Sequence, residues 1–294
     1  MESIVMPFLA NIRTVLEMIK FEHSIFALPF ALTGALLAAS GSGLSWRELA
    51  VKLGWIIVAM VAARSAAMAF NRVADAEIDA ANPRTRMRAI PAGILSKSFT
   101  WGFIVFWSLV LFGAAWMLNP LCFQLTPVAL AVVFGYSYTK RFTAVSHLVL
   151  GFALGIAPAA AWIAIRGSLD PAILLLTGAV MCWTAGFDII YSCQDVDFDC
   201  RNGLRSVPQS LGVGRALLVA RLLHVAMVGL LLALWRALGL GWLGLGGIAV
   251  VAALLVYEHS LVRADDLSRV DAAFFAVNGY ASVLFFVFWA ADLL

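Results

Sequence analysis

The sequence predicts an all-α, polytopic membrane protein. Of its 294 residues, 63% are hydrophobic and only 13% charged, against roughly a quarter charged in an ordinary soluble domain. Mean hydropathy is +0.95. The apolar runs are also continuous over about 20 residues, the length a helix needs to cross a bilayer. Backbone amides cannot stay unpaired in lipid, so each run must be helical or part of a closed barrel. A barrel would show alternating segments of roughly 10 residues. These runs do not alternate, so helices are expected.

Nine spans follow in order: 22–40, 51–71, 100–118, 121–138, 145–165, 171–191, 213–235, 239–257 and 271–291. The first becomes strongly apolar near Ile25. The opening "MESIVMPFLANIRTV" lacks the basic region of a signal peptide, so this helix is expected to be retained. Spans three and four are separated by "LNPL", spans five and six by "RGSLDP". The long polar connectors, 72–98 and 192–212, both follow even-numbered spans and therefore face one side. With a cytoplasmic N-terminus, that side carries 15 Lys and Arg and the other side four, with Arg64 inside span two; the positive-inside rule then makes it cytoplasmic. The whole chain, 1–294, reads as a single membrane-embedded domain. A net charge of +3 indicates no nucleic-acid partner. The cysteines Cys122, Cys182, Cys193 and Cys200 form no CxxC pair, so neither a zinc site nor a disulfide framework is expected.

Two acid clusters sit at cytoplasmic helix ends: "NRVADAEIDA" (71–80) and "DIIYSCQDVDFD" (188–199). As a continuation of span two, Asn71, Asp75 and Asp79 recur at i, i+4, i+8 and share one face. Arg64 lies two turns deeper on nearly the same face, and Glu77 points away. In the second cluster Asp188, Tyr191, Asp195 and Asp199 share a face, and Asp197 points away. Simple helix ending does not explain this. Helix C-termini favour cations, and stacked aspartates repel, so something cationic must neutralise them. Oxygen donors on one face suit Mg²⁺, which binds through one or two carboxylates plus substrate phosphates. Bases near the clusters are available for a diphosphate: Arg84, Arg86, Arg88, Lys140, Arg141, Arg201 and Arg205. Lys140 and Arg141 are favoured because they end the helix between the clusters; the competing reading of each base is a positive-inside anchor and not a ligand.

These motifs resemble those of the UbiA superfamily of intramembrane prenyltransferases. The family carries an NDxxDxxxD-like motif after helix two and a DxxYxxxDxxxD-like motif after helix six; this chain reads "NRVADAEID" and "DIIYSCQDVDFD". "NGLRSVPQSLG" is similar to the family's G-x-x-S stretch through Gly203 and Ser206, and "YSYTKRFT" to its basic segment after helix four. One position departs: Arg72 stands where the family usually has Asp. The resemblance implies nine helices around a central cavity and Mg²⁺-dependent transfer of a prenyl chain from its diphosphate. It implies metal ligation by Asn71, Asp75, Asp79, Asp195 and Asp199, and diphosphate binding by Lys140, Arg141, Arg88 and Arg205. Tyr191 is expected to stabilise the allylic cation, and Asp195 to take part in catalysis. Asp188 is expected to act as base, or else to pair with Arg64.

"MIKFEHSIFALPFAL" and the compact second motif look most like the 4-hydroxybenzoate polyprenyltransferase branch. The alternative acceptor is 1,4-dihydroxy-6-naphthoate, in menaquinone synthesis by the futalosine route. Either acceptor carries a carboxylate, for which Arg64 and Lys20 are candidates; the alternative for Arg64 is an internal pair with Asp75 or Asp79, and for Lys20 interface anchoring. The expected partners are a polyprenyl diphosphate, an aromatic carboxylic acid and the lipid bilayer, in a bacterial plasma membrane. The histidines are read as packing or interface residues, with only His23 near an acceptor. A cation transporter is the alternative of a different class. It would place its charges near the bilayer midplane, whereas these acids lie at cytoplasmic ends.

Overall fold

Each apolar run forms a helix, and local residues set where it begins and stops. The computed structural model describes Thr14 and residues 27–293. Its helices are α1 (Leu28–Ala39), α2 (Trp46–Ala74), α3 (Ala76–Ala81), α4 (Lys97–Leu118), α5 (Pro120–Thr139), α6 (Ser146–Arg166) and α7 (Ile173–Ser192). A 3₁₀ turn (Cys193–Asp195), α8 (Val196–Asn202), α9 (Val207–Leu211), α10 (Val213–Leu238) and α11 (Trp242–Ser260) follow. The last span runs through α12 (Val270–Ala272), a π-helical turn (Ala273–Val277) and α13 (Asn278–Leu293). Eight segments are long and apolar enough to cross a membrane, and α1 is a shorter apolar helix. The nine expected spans fall on these segments. Lys20 and His23 lie outside the described residues.

The caps are local. Ser45 and Glu48 form a reciprocal capping box at the start of α2. In the "LNPL" connector, Asn119 Oδ1 accepts from Cys122 N at 2.9 Å while Pro120 occupies the first turn of α5, so one tetrapeptide ends α4 and starts α5. Gly167, at φ 71°, ends α6 in the left-handed conformation.

The helices close a ring. α1 packs on α6, α2 on α4, α6 on α7, α7 on α10, α11 on α13, and α13 returns to α1. Within their most apolar stretches α6 and α7 are 56% and 61% buried, and none of the other six long segments exceeds 39%, so this pair, with the short and largely buried α1 against it, forms the inner wall. Small residues set its spacing. A Cβ at Gly151 would lie 2.3 Å from Met181 O, and one at Gly155 2.6 Å from Thr177 O. This Gly-x-x-x-Gly face lets the two backbones touch, as membrane helix pairs do. Outward faces such as Phe106, Leu109 and Trp116 of α4 stay exposed, the composition a lipid-facing surface requires.

Candidate active site

A cavity of about 740 Å³ runs inside the ring. Its wall is apolar along α5, α6 and α7, through residues such as Leu125, Ala160 and Leu174. Its polar end gathers both acid motifs: Asn71, Asp75, Asp79, Asp188, Tyr191, Asp195 and Asp199 all line it.

The first motif is not the uninterrupted extension of a helix that its periodicity suggests. α2 stops at Asp75, whose φ and ψ are −94° and 4°, and α3 resumes at Ala76. The i→i−4 bonds nevertheless continue across the break: Asp75 N to Asn71 O is 2.9 Å and Asp79 N to Asp75 O is 2.8 Å. The common face therefore survives. Asn71, Asp75 and Asp79 are buried, and Glu77 is exposed. The second motif leaves α7 through the 3₁₀ turn and enters α8. A tighter turn shifts side chains slightly, yet Asp188, Tyr191, Asp195 and Asp199 stay half-buried and Asp197 is exposed.

Each acid already has a partner. Lys140 Nζ lies 2.6 Å from Asp75 Oδ2, and Arg141 Nη2 lies 3.2 Å from Asp75 Oδ1. Asn71 Nδ2 donates to Asp75 at 3.0 Å. Arg88 Nη1 bridges both oxygens of Asp79 at 2.7 and 2.8 Å. Arg84 holds Asp195 through two nitrogens and also donates to Tyr191 Oη at 3.2 Å. Burial alone would lower the pKa of Arg84, but the hydrogen bond and charge of Asp195, with Tyr191, hold it above its ordinary value. Ser206 donates to Asp199 at 2.9 Å. Asn82 Nδ2 reaches Asp195 Oδ1 at 3.1 Å, so the end of the first motif touches the second.

Several expectations change at this point. Asp188 pairs with His147, Nδ1 to Oδ2 at 2.7 Å, and not with Arg64. His147 is thus a cavity residue, contrary to its reading as packing or interface. Its Nε2 accepts from Val207 N at 3.3 Å, which leaves the proton on Nδ1, facing Asp188. Arg141 donates to Ser137 O and Ala74 O, both at 2.7 Å; it ties α5 to the break at Asp75 and does not line the cavity. Lys140, Arg88 and Arg205 do line it. Arg64 forms no ion pair with Asp75 or Asp79 among the described residues. Arg64 and Arg72 both line the cavity, and the Nε of each is buried without a hydrogen-bond partner. Asn82 was missed, although it lies three residues beyond Asp79, one further step along the motif face. Phe274 and Phe275, also in the wall, come from the π turn, which sequence periodicity does not reveal.

The donor set suits a hard divalent cation. It is all oxygen, from a carboxamide and carboxylates on two faces of one cavity. With the bases in their present places, no group of three His, Cys, Asp or Glu among the described residues is close enough to enclose an ion. Arg84, Arg88 and Lys140 each occupy a carboxylate of the donor set, and a diphosphate is an anion that could take such bases over.

Known proteins share this sequence pattern and fold. The UbiA prenyltransferase family matches residues 27–289. A 4-hydroxybenzoate octaprenyltransferase of Vibrio cholerae serotype O1 is 31% identical over 240 residues, 82% of each chain. The apo structure of a UbiA homolog from Aeropyrum pernix K1 superposes with a TM-score of 0.84 at 33% identity, covering 93% of this chain and 99% of that one. A UbiA homolog from Archaeoglobus fulgidus, solved with GPP and Mg²⁺, shares the fold at a TM-score of 0.69 and 19% identity, covering 95% of this chain and 99% of that one. The chain belongs to the UbiA prenyltransferase family.

Proposed function

We propose that this membrane prenyltransferase moves a polyprenyl group from its diphosphate to a ring carbon of 4-hydroxybenzoate, and that it requires Mg²⁺. The observation that carries this reading is the meeting of two oxygen-donor faces, at Asn82 and Asp195, over a long apolar cavity. The name of the V. cholerae relative supports the acceptor, and the ligands of the A. fulgidus homolog support the donor and the metal. The working unit is one membrane-embedded domain in a bacterial plasma membrane, its motifs on the cytoplasmic side where Lys and Arg are concentrated.

Asn71, Asp75, Asp79, Asp195 and Asp199 would hold the metal, which when bound neutralises the charge that builds on the leaving diphosphate. Lys140, Arg88 and Arg205 bind the diphosphate oxygens, Lys140 as a point charge and the arginines as forks. The allylic C–O bond breaks and its electron pair leaves with the diphosphate. The ring of Tyr191, which has the Arg84 guanidinium 5.4 Å from its centroid, can equally face the allylic cation. Arg64 and Arg72, with unpartnered Nε atoms, take the acceptor carboxylate. The carbon ortho to the phenol attacks, a C–C bond forms, and the ring proton passes to Asp188. His147 donates to Asp188 and so orients it as a general base. The apolar wall excludes water, which would otherwise capture the cation.

The test is turnover by purified protein with labelled geranyl or longer diphosphate, offered 4-hydroxybenzoate and 1,4-dihydroxy-6-naphthoate in parallel. The proposal expects ring-prenylated benzoate. Product from the naphthoate alone would move the chain to menaquinone synthesis, and cation flux in vesicles without any prenyl transfer would return it to transport.

A further inference from the structure

Behind the cavity, a set of polar groups is buried among α7, α11 and α13. Trp183, Glu258 and Asn278 are each 0% exposed. Asn278 is the first residue after the π-helical turn Ala273–Val277. A π turn disturbs the i→i−4 ladder, and the displaced carbonyls need other donors. Asn278 provides one: a single N–H of its Nδ2 is shared between Ala273 O and Phe274 O, each at 3.2 Å. The same amide is fixed from both sides. Its Nδ2 also donates to Glu258 Oε1 at 2.8 Å, and its Oδ1 accepts from Trp183 Nε1 at 2.7 Å.

The π turn changes which residues reach the cavity. Phe274 and Phe275 both line it. The Phe274 ring lies 4.2 Å from that of Tyr191 and 5.2 Å from that of Phe187, and Phe187 lies 5.0 Å from Trp183. Trp183 therefore supports the turn twice, through its N–H on Asn278 and through its ring by way of Phe187. Polar groups this fully buried are costly unless hydrogen-bonded and in membrane-spanning segments mark functional positions, and π turns collect at functional sites.

We propose that Asn278, held by Glu258 and Trp183, is a positioning residue: it fixes the π turn so that Phe274 stays against Tyr191 and closes the cavity wall to water. This rests on the prenyl-transfer reading above. When the wall is closed, the allylic carbon bonds to the acceptor ring and the ring loses a proton. When it is open, the carbon bonds to a water oxygen, the water loses a proton, and prenyl alcohol forms. The ratio of prenyl alcohol to aryl product reads the wall directly.

The experiment uses full-length protein in detergent micelles with labelled geranyl diphosphate, Mg²⁺ and 4-hydroxybenzoate. Asn278→Leu removes the amide and keeps the same number and branching of side-chain heavy atoms. It is expected to raise the alcohol-to-aryl ratio roughly tenfold, the factor one buried hydrogen bond is worth, with the KM for the diphosphate unchanged. Glu258→Gln keeps an acceptor oxygen and should hold the ratio near wild type. Phe274→Leu leaves the network intact, removes the ring and should reproduce the rise even if Asn278→Leu does not fold. Hydrogen exchange at residues 273–278 supplies a readout independent of chemistry: it should accelerate in Asn278→Leu and not in Glu258→Gln. A wild-type product ratio in folded Asn278→Leu or in Phe274→Leu would overturn the proposal, as would unchanged exchange in Asn278→Leu. If the wild-type protein prenylates no aromatic acid, the function above fails, while the exchange comparison still decides whether Asn278 fixes the turn.

Discussion

The two acid faces differ in how their charge is balanced. Asp75 and Asp79 are 3% and 4% exposed. The bases on Asp75 stand at the end of α5, where Lys140 and Arg141 are anchored on helix backbone. Asp195 is more open, with its side chain 19% exposed, and its partner Arg84 rises from the 82–96 connector. Asp188 and Asp199 have no Lys or Arg partner at all among the described residues; they bind His147 and Ser206. One face is therefore the more deeply buried and carries three cations on two acids, Lys140 and Arg141 on Asp75 and Arg88 on Asp79; the other is more open and carries one cation, Arg84, on three acids. For the proposed binding of a metal and a diphosphate together, the second motif, more exposed and with fewer ion pairs to break, is where rearrangement would cost least.

The largest effect should come from the acids themselves. Asp79→Asn and Asp195→Asn should each lower turnover on the order of 100-fold, the scale of losing one transition-state stabiliser. Glu77→Gln and Asp197→Asn, on the exposed faces, should leave it near wild type. Equal losses in all four variants would dissolve the distinction between inward and outward faces.

A smaller effect separates donor from acceptor. Lys140→Ala should raise the KM for the prenyl diphosphate, and Arg72→Ala the KM for the aromatic acid, each by roughly tenfold or more, as expected for a charge-assisted hydrogen bond. Neither should alter the other substrate's KM. A shift of the diphosphate KM in Arg72→Ala would place that guanidinium on the leaving group.

The smallest effect tests adaptability. Were Asp195 a metal ligand as proposed, Arg84 would compete with the metal for it, so Arg84→Ala should lower the Mg²⁺ concentration for half-maximal activity. The shift should be about two- to fivefold, the range of a half-exposed ion pair worth up to about 1 kcal/mol. A rise in that concentration would show that Arg84 helps to bind the metal-bound substrate.

Much of this was legible in the sequence. Continuous apolar runs reveal helices because lipid leaves the backbone no alternative, and spacing alone separated Asp79 from Glu77 and Asp195 from Asp197. Pairings across the chain were not legible. His147 looked like packing because nothing local marks a contact 41 residues away with Asp188. Arg141 looked equivalent to Lys140, its neighbour, until the helix end turned one toward the cavity and the other onto backbone carbonyls. The break at Asp75 and the π turn before Asn278 were hidden too, because one changed residue step inside an apolar helix leaves composition and length intact.

The central claim is that both faces act on one metal-bound diphosphate. The direct measurement is equilibrium binding of labelled geranyl diphosphate to the detergent-solubilised protein, with Mg²⁺ or with EDTA, in wild type, Asp79→Asn and Asp195→Asn. The account predicts tight binding only for wild type with Mg²⁺, and the same weak, metal-insensitive binding in both variants. Full Mg²⁺-dependent affinity in either variant would contradict it, because one face would then suffice.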